Sequence, residues 1–503
     1  MQNNSRFLEK LSSFFLVTLL IRCVHSYFTI YYHIGGDLSL PWLMANDWEL
    51  TKSNKYFWGQ NYMPTQEVWF LNKLGRLLGF SIIPMWLNVF IAQLFYTIGV
   101  TLIFSKLKII LYLQWQNRWF YLALLSILIF APPAFQKYTF GIGTGYAMVP
   151  LATGLSIYLA LTPQIRLWKA FLGCIILGIS ISVFRLNAVS VAGLILIMIT
   201  VRPKENVKLI GVMALGVAMG LLPEFLQSGL NSPYGFKIPE FERIAHNIFY
   251  FMTEQGVNLG ILPYSWFEGE HAMWFWGHKS FPTDFMKIAR YFSILLFLLI
   301  LLINFGKTKE RHKVFYLIIV INLVVVCFSN AYIDVFSARR YGYPMSLALT
   351  ALILFNINHV WNKIFLIPKF IAILFYLYSS FVFWSPLQRI PEILAEQNYD
   401  TKLDCIAGNG AILTTHMALT SKPVSVVEQG WRLTGNYSKT IPHDEIRKIK
   451  EECRNVFLIL NVPAQLSIFK CEDGKILYDT PREGWEAYRH HPLQIYHCDY
   501  SNK

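Results

Sequence analysis

Charged side chains are scarce in this chain, and their scarcity excludes most soluble architectures. Only 15% of its 503 residues are Asp, Glu, Lys or Arg, where a soluble globular chain carries about 25%. Acids are the scarcer sign, 30 against 44 Lys and Arg, for a formal net charge of +14. The sequence also lacks internal repeats and low-complexity tracts, and its C-terminal region lacks a phosphate-binding glycine loop and metal-ligand spacing. A disordered protein, a fibrous repeat and an ordinary cytosolic enzyme are thereby excluded. What fills the chain is apolar: 54% of residues are hydrophobic and 16% aromatic, mean hydropathy is +0.40, and the apolar residues come in long blocks.

A helix needs roughly 20 mostly apolar residues to cross a hydrocarbon core. The blocks predict about 11 spans, at about 11–33, 82–104, 118–132, 145–162, 169–184, 186–201, 209–222, 291–305, 314–330, 343–357 and 364–384. The fifth and sixth form a tight hairpin around Phe184-Arg185-Leu186-Asn187. Lys and Arg in short loops stay cytoplasmic. With the N-terminus inside, the cytoplasmic segments hold 16 bases and three acids, so +13 of the +14 is a topology signal. A nucleic-acid footprint would instead cluster bases on one soluble face. The first apolar block runs into Tyr31-Tyr32-His33 without a small-residue cleavage site, which predicts a retained span rather than a cleaved signal peptide.

An odd number of spans puts the C-terminal region on the far side of the membrane. Its texture changes: Val456-Phe457-Leu458-Ile459-Leu460 reads as a buried strand, Ala411–Thr415 and Val424–Val427 as shorter ones, and Ile441–Cys453 as a charged helix with Pro442 in its first turn. Strands alternating with helices predict a small α/β domain. Of seven cysteines, Cys23, Cys174 and Cys327 lie in spans, as small hydrophobes. Cys405, Cys453, Cys471 and Cys498 all lie in the C-terminal region, which suits an oxidising compartment and up to two disulfides of open connectivity; four free thiols are the alternative. The expected plan is a transmembrane domain at 1–384, with long far-side loops at 34–81 and 223–290, and a soluble α/β domain at 385–503.

Polar residues collect at the far face. In the second loop, Trp266, Trp274 and Trp276 read as interfacial anchors in preference to sugar-stacking rings. In the first loop Asp37 directly follows the first span, where a carboxylate is expensive and can act as a general base for a hydroxyl. Gln60, Asn61 and Tyr62 then supply donors before a second acid, Glu67; two solvated loop acids are the plainer alternative. Arg185 caps the hairpin and Arg339-Arg340-Tyr341 precedes the tenth span. A guanidinium at headgroup depth suits a phosphate; a salt bridge to Asp334 or Glu224, or snorkelling, would also satisfy it.

Gly36-Asp37, Leu43-Met44-Ala45, Gly59-Gln60-Asn61-Tyr62-Met63 and Glu67 together resemble the first periplasmic loop of bacterial GT-C glycosyltransferases, relatives of the protein O-mannosyltransferases and aminoarabinose transferases. Pro132-Pro133 with Gly143-Thr144-Gly145-Tyr146, and Arg340-Tyr341 with Pro344, are looser echoes. The chain departs from the pattern at Leu38, where the family has a second acid, and at Pro64 and Thr65, which stand for Gly and Ser. The resemblance implies a polytopic α-helical membrane protein, GT-C-like, of the bacterial inner membrane, with a C-terminal periplasmic α/β domain. It implies an inverting transfer of one sugar from a polyprenyl-phosphate (undecaprenyl-phosphate) donor to a glycan or glycolipid acceptor. Lipopolysaccharide O-antigen is the favoured acceptor, because serotype-converting glucosyltransferases have a similar layout. In that reading Asp37 is the base, Arg339 and Arg340 neutralise the leaving lipid phosphate, and Arg185 and Lys137 assist. Gln60, Asn61, Tyr62, Glu67 and Tyr341 position the sugar or the loop. The missing second acid argues against a two-carboxylate metal site and leaves a divalent cation as an open cofactor.

Two other classes compete. A transporter or lipid-linked-sugar flippase predicts inverted repeats and broken helices at mid-membrane, and no duplication is present in the sequence. A polytopic scaffold leaves Asp37 and the Arg pair at one membrane face unexplained.

Overall fold

The computed structural model describes residues 2–33, 45, 66–78, 82–107, 146–201, 203–228, 239–253, 283–305, 312–329, 341–355, 393, 396–397, 404–408, 454–460, 474–479 and 494–499. Its described helices are α1 (Gln2–His33), α2 (Gln66–Leu78), α3 (Ile82–Leu107), α4 (Met148–Leu161), α5 (Leu167–Val183), α6 (Ala188–Thr200), α7 (Pro203–Ser228), α8 (Phe241–Thr253), α9 (Thr283–Phe305), α10 (Lys313–Cys327) and α11 (Tyr343–Phe355). Four strands follow, β1 (Asp404–Gly408), β2 (Asn455–Leu460), β3 (Lys475–Asp479) and β4 (Gln494–Asp499). The chain divides into two compact units. One comprises Met1–Tyr27, Val89–Gly269 and Phe281–Tyr376, the other Phe28–Asn88, Glu270–Ser280 and Leu377–Lys503.

Nine of the predicted spans fall on described helices; those at 118–132 and 364–384 lie outside the described residues. Three helices run past their predicted ends: α1 starts at Gln2, α7 spans Pro203–Ser228 and α9 starts at Thr283. Hydropathy sees only the apolar part of a helix, and polar end turns still close their own backbone bonds. Among the described helices, Trp86–Lys106 alone is long and apolar enough to cross a hydrocarbon core by itself; stretches such as Met148–Leu161 and Leu167–Val183 are apolar but shorter. The two long loops also contain structure that the span reading left out, the amphipathic helices α2 and α8.

In the first unit an apolar core is joined by exposed apolar faces and buried polar side chains. On α1, Leu16, Leu20 and Val24 are exposed, while Thr18, Arg22 and Ser26 are buried; each set recurs every four residues, one face of a helix. The same holds elsewhere: Leu172, Ile176 and Ile179 on α5 and Leu295, Leu298 and Leu302 on α9 face outward, while Gln93, Thr97, Thr153, Ser190 and Asn322 are buried. Water would penalise both halves of this pattern; a hydrocarbon surround rewards both, because buried polar groups then satisfy one another. The Thr153 and Ser190 hydroxyls do so at 2.9 Å, between α4 and α6. Small residues let helices approach closely. A Cβ on Gly99 of α3 would lie 2.2 Å from the Pro150 carbonyl oxygen of α4, and one on Gly178 of α5 would lie 2.3 Å from the Val217 carbonyl oxygen of α7.

In the second unit α2 places Leu71 in the interior, and the Asn72 amide donates to the Ala45 carbonyl at 2.8 Å. The four strands make one mixed sheet in the order β1-β2-β4-β3, with β1 parallel to β2 and the other pairs antiparallel. β2 coincides with the strand read at Val456–Leu460, and its Val456, Phe457 and Leu458 are buried. β1, β3 and β4 were not foreseen; the candidate strands at 411–415 and 424–427 and the helix at 441–453 lie outside the described residues.

The sheet register narrows the disulfide connectivity. Cys498 is disulfide-bonded, whereas Cys23, Cys174 and Cys327 are free thiols. Val456 of β2 pairs with Cys405 on one side and with Cys498 on the other. Two inter-strand steps of about 4.8 Å put those two Cα atoms about 10 Å apart, beyond the limit of about 7 Å for a disulfide. That argues against Cys405 and leaves Cys453 and Cys471 as the expected partners of Cys498. Peptide mapping of unreduced protein is expected to find Cys498 linked to one of these two, and a Cys405–Cys498 peptide would refute the register. Cys498→Ser is expected to destabilise the domain by about 2–5 kcal/mol.

Candidate functional site at the far face

Arg185 occupies a built turn. After α5, Phe184 is extended, residues Arg185–Asn187 form one 3-10 turn, and α6 begins at Ala188. Asn187 is fully buried; its side-chain amide donates to the Ser180 carbonyl at 2.8 Å and its backbone N–H to the Phe184 carbonyl at 2.9 Å. The Ser180 carbonyl also accepts from the Phe184 backbone N–H at 2.9 Å, so the Asn187 side chain ties the turn back to the end of α5, and Arg185 stands exposed on it. The Phe184 ring lies 4.5 Å from that of Tyr146, bringing the segment after Gly143-Thr144-Gly145 to the hairpin.

The entry to α11 is held in a similar way. Asn322, fully buried on α10, donates its amide to the Tyr341 carbonyl at 2.9 Å and accepts from the Met345 backbone N–H at 3.2 Å. One side chain thus caps the N-terminal turn of α11 and fixes the backbone of Tyr341, the residue directly after Arg339-Arg340. Beside it, α8 sits against α10: the Asn247 amide approaches the carbonyls of Cys327 at 3.3 Å and Ser329 at 3.4 Å, at the C-terminal end of that helix. The opposite surface of α8 carries exposed Phe241, Ile248 and Phe249, and His246 and Tyr250 stack at 4.5 Å. Sequence reading missed all three amides. For Asn322 the signal was present, because a lone Asn in an apolar run must face a partner inside the bundle.

The largest omission is Arg22. It is 3% exposed on α1, its Nε donates to the Gln93 side-chain oxygen at 2.5 Å, and its Cζ lies 3.6 Å from the centroid of the Tyr96 ring. A charge inside a predicted span is itself a functional signal, but it disappears in a hydropathy average over 23 residues.

The other sequence-predicted site residues are partly out of view. Asp37, Gln60, Asn61, Tyr62, Lys137, Arg339, Arg340, Cys453 and Cys471, and the tryptophans Trp266, Trp274 and Trp276, lie outside the described residues. Glu67 lies in the first turn of α2 and Cys405 on β1. Among the described residues no group of three or more His, Cys, Asp or Glu could hold a metal ion. Arg185 and Tyr341 are held on separate elements, the α5–α6 turn and the entry to α11.

The crystal structure of ArnT from Cupriavidus metallidurans in the apo state matches this chain with a TM-score of 0.50, over 97% of this chain and 98% of that one, at 9% sequence identity. The chain folds like ArnT. The likeness runs the whole length, through the helical unit and the C-terminal sheet alike. A second crystal structure of ArnT from the same organism, bound to undecaprenyl phosphate, matches with a TM-score of 0.42 at 11% identity, over 96% of this chain and 97% of that one. No family model and no curated protein matches the sequence.

Proposed function

We propose that this chain is an inverting glycosyltransferase of the GT-C kind. It moves one sugar from a polyprenyl-phosphate donor to an acceptor at the periplasmic face of the bacterial inner membrane, with lipopolysaccharide O-antigen as the acceptor. The observation that carries the reading is the whole-length likeness to the ArnT fold. The first-loop residues Gly36-Asp37 and Gly59-Gln60-Asn61-Tyr62-Met63 support it independently, because they resemble the loop of that family. The exposed apolar faces of the helices, with polar side chains buried between them, support a membrane setting.

In this reading Asp37 removes the proton of the acceptor hydroxyl, whose oxygen attacks the anomeric carbon. The bond from that carbon to the phosphate oxygen breaks, and the lipid phosphate leaves with its charge. Arg339 and Arg340, helped by Arg185 and Lys137, stabilise that anion as it forms. Gln60, Asn61, Tyr62 and Tyr341 orient the sugar, and Glu67 orients the loop. Asn322 contributes by holding the backbone that follows the Arg pair.

Mass spectrometry of surface glycans and of the lipid-linked sugar pool, with and without the gene, tests the reading. The expected result is one sugar residue gained on the surface polysaccharide and a matching drop in its polyprenyl-phosphate carrier. Identical glycans and an unchanged carrier pool would overturn it.

A further inference from the structure

Arg22 is placed where one charge ties two helices together. Its two partners, Gln93 and Tyr96, lie three residues apart on α3, on one face of that helix. One contact is a hydrogen bond and the other a stack of the guanidinium on a ring, and both need the planar Arg head group rather than a point charge. The cation therefore holds α1 to α3, and α11 starts at the fully buried Tyr343.

Two of those helices lead directly to the proposed chemistry. From Arg22, α1 runs unbroken to His33, a rod of about 17 Å at 1.5 Å per residue, and Asp37 follows four residues later. On α11, Tyr343 comes three residues after Arg340. Thr18 and Ser26 share the buried face of α1 with Arg22, so this face is polar for two turns and its register against α3 is not set by apolar packing alone.

We infer that Arg22 is a positioning residue for the transfer reaction: by clamping α1 to Gln93 and Tyr96 of α3, it sets the height and rotation of the helix that Asp37 follows in the sequence. The inference rests on the transferase reading. Arg22 touches neither donor nor acceptor, and it acts through the geometry of the base, to which a displacement of about 1 Å costs roughly 10²-fold in rate.

The test uses the full-length protein in lipid vesicles, with undecaprenyl-phosphate-linked glucose and aminoarabinose as donors and lipopolysaccharide as acceptor. Arg22→Met is expected to lower kcat per folded molecule by at least about tenfold with the donor KM within about twofold, since misplacing a reacting group affects the transition state. Arg22→Lys keeps the charge and a donor but loses the stack, and is expected to fall between Arg22→Met and the parent. Gln93→Leu, which removes the acceptor but keeps the stack, provides a second variant if Arg22→Met does not fold. A distance measurement completes the test. Spin labels at exposed Val24 on α1 and Val324 on α10, with Cys23, Cys174 and Cys327 replaced by Ala, are expected to give a narrow distribution in the parent that broadens in the Arg22 and Gln93 variants. A lowered kcat together with a broadened distribution supports the inference. Unchanged kcat per folded molecule in an active background, or an unchanged distribution, overturns it and leaves the transferase reading standing. A parent protein that transfers neither sugar overturns the transferase reading, and the role assigned to Arg22 with it.

Discussion

Asp37→Asn is expected to lower glycosyl transfer by about 10²–10⁴-fold, the usual contribution of a positioned general base, with insertion and folded yield unchanged. Asn matches Asp in shape and keeps an acceptor oxygen, so the substitution removes basicity and little else. Donor binding should survive, because the lipid phosphate is assigned to Arg339 and Arg340. A product-release assay for undecaprenyl phosphate and a binding assay for the same lipid separate the two effects. Glu67→Gln is the matched control: Glu67 lies in the first turn of α2, and as a brace for the loop its loss should cost far less than that of Asp37. Normal surface-polysaccharide modification by cells carrying Asp37→Asn would remove the base assignment. Equal losses at Asp37 and Glu67 would mean that the two carboxylates act as a pair despite Leu38.

The spans were legible because lipid imposes a simple rule: every backbone polar group is satisfied inside a helix, and the side chains outside it are apolar. That rule picks out the apolar centre of a helix and says nothing about its ends, so α1, α7 and α9 proved longer than the blocks that announced them. It is equally silent about α2 and α8, whose polar faces dilute any window average. In the C-terminal domain β2 was legible as an unbroken apolar run at the centre of the sheet. Strands β1 and β3, the outer ones among the described strands, were not, because Asp, Lys and Gly interrupt their apolar runs.

Near the candidate site, the tight hairpin at Phe184–Asn187 was legible, and Arg185 stands exposed on it. The site was not legible where single polar side chains hold backbones: Asn187 at the hairpin, Asn322 at α11 and Asn247 at α10. Each is a single amide, and only the fold says which carbonyl it meets. Arg22 belongs to the same class with a charge added.

Gly220→Leu is expected to abolish most of the folded protein, whereas Gly211→Leu on the same helix is expected to be tolerated. α7 carries Gly216-Val217-Ala218-Met219-Gly220, the small-xxx-small spacing of close-packed membrane helices. A Cβ at Gly220 would lie 2.3 Å from the Ile175 carbonyl oxygen and 2.8 Å from the Gly178 Cα of α5, and a Cβ at Gly216 would lie 2.7 Å from the Phe171 carbonyl oxygen. Those neighbours are backbone and cannot rotate away. The whole of α7 would have to withdraw, at more than the roughly 1–3 kcal/mol of ordinary overpacking. At Gly211 nothing lies within 4 Å, so the same Leu meets open space. Fluorescence-detected size exclusion and thermal unfolding of the two variants compare like with like: same helix, same substitution, same added apolar surface. Equal yields would show that α5 and α7 do not meet at these glycines. The function follows the packing, because α5 ends in the turn that carries Arg185 and its last carbonyls are those held by Asn187. Gly220→Ala adds one methyl group against the same carbonyl. It is therefore expected to leave some folded protein with α5 displaced, and in that protein transfer should fall further than stability alone accounts for.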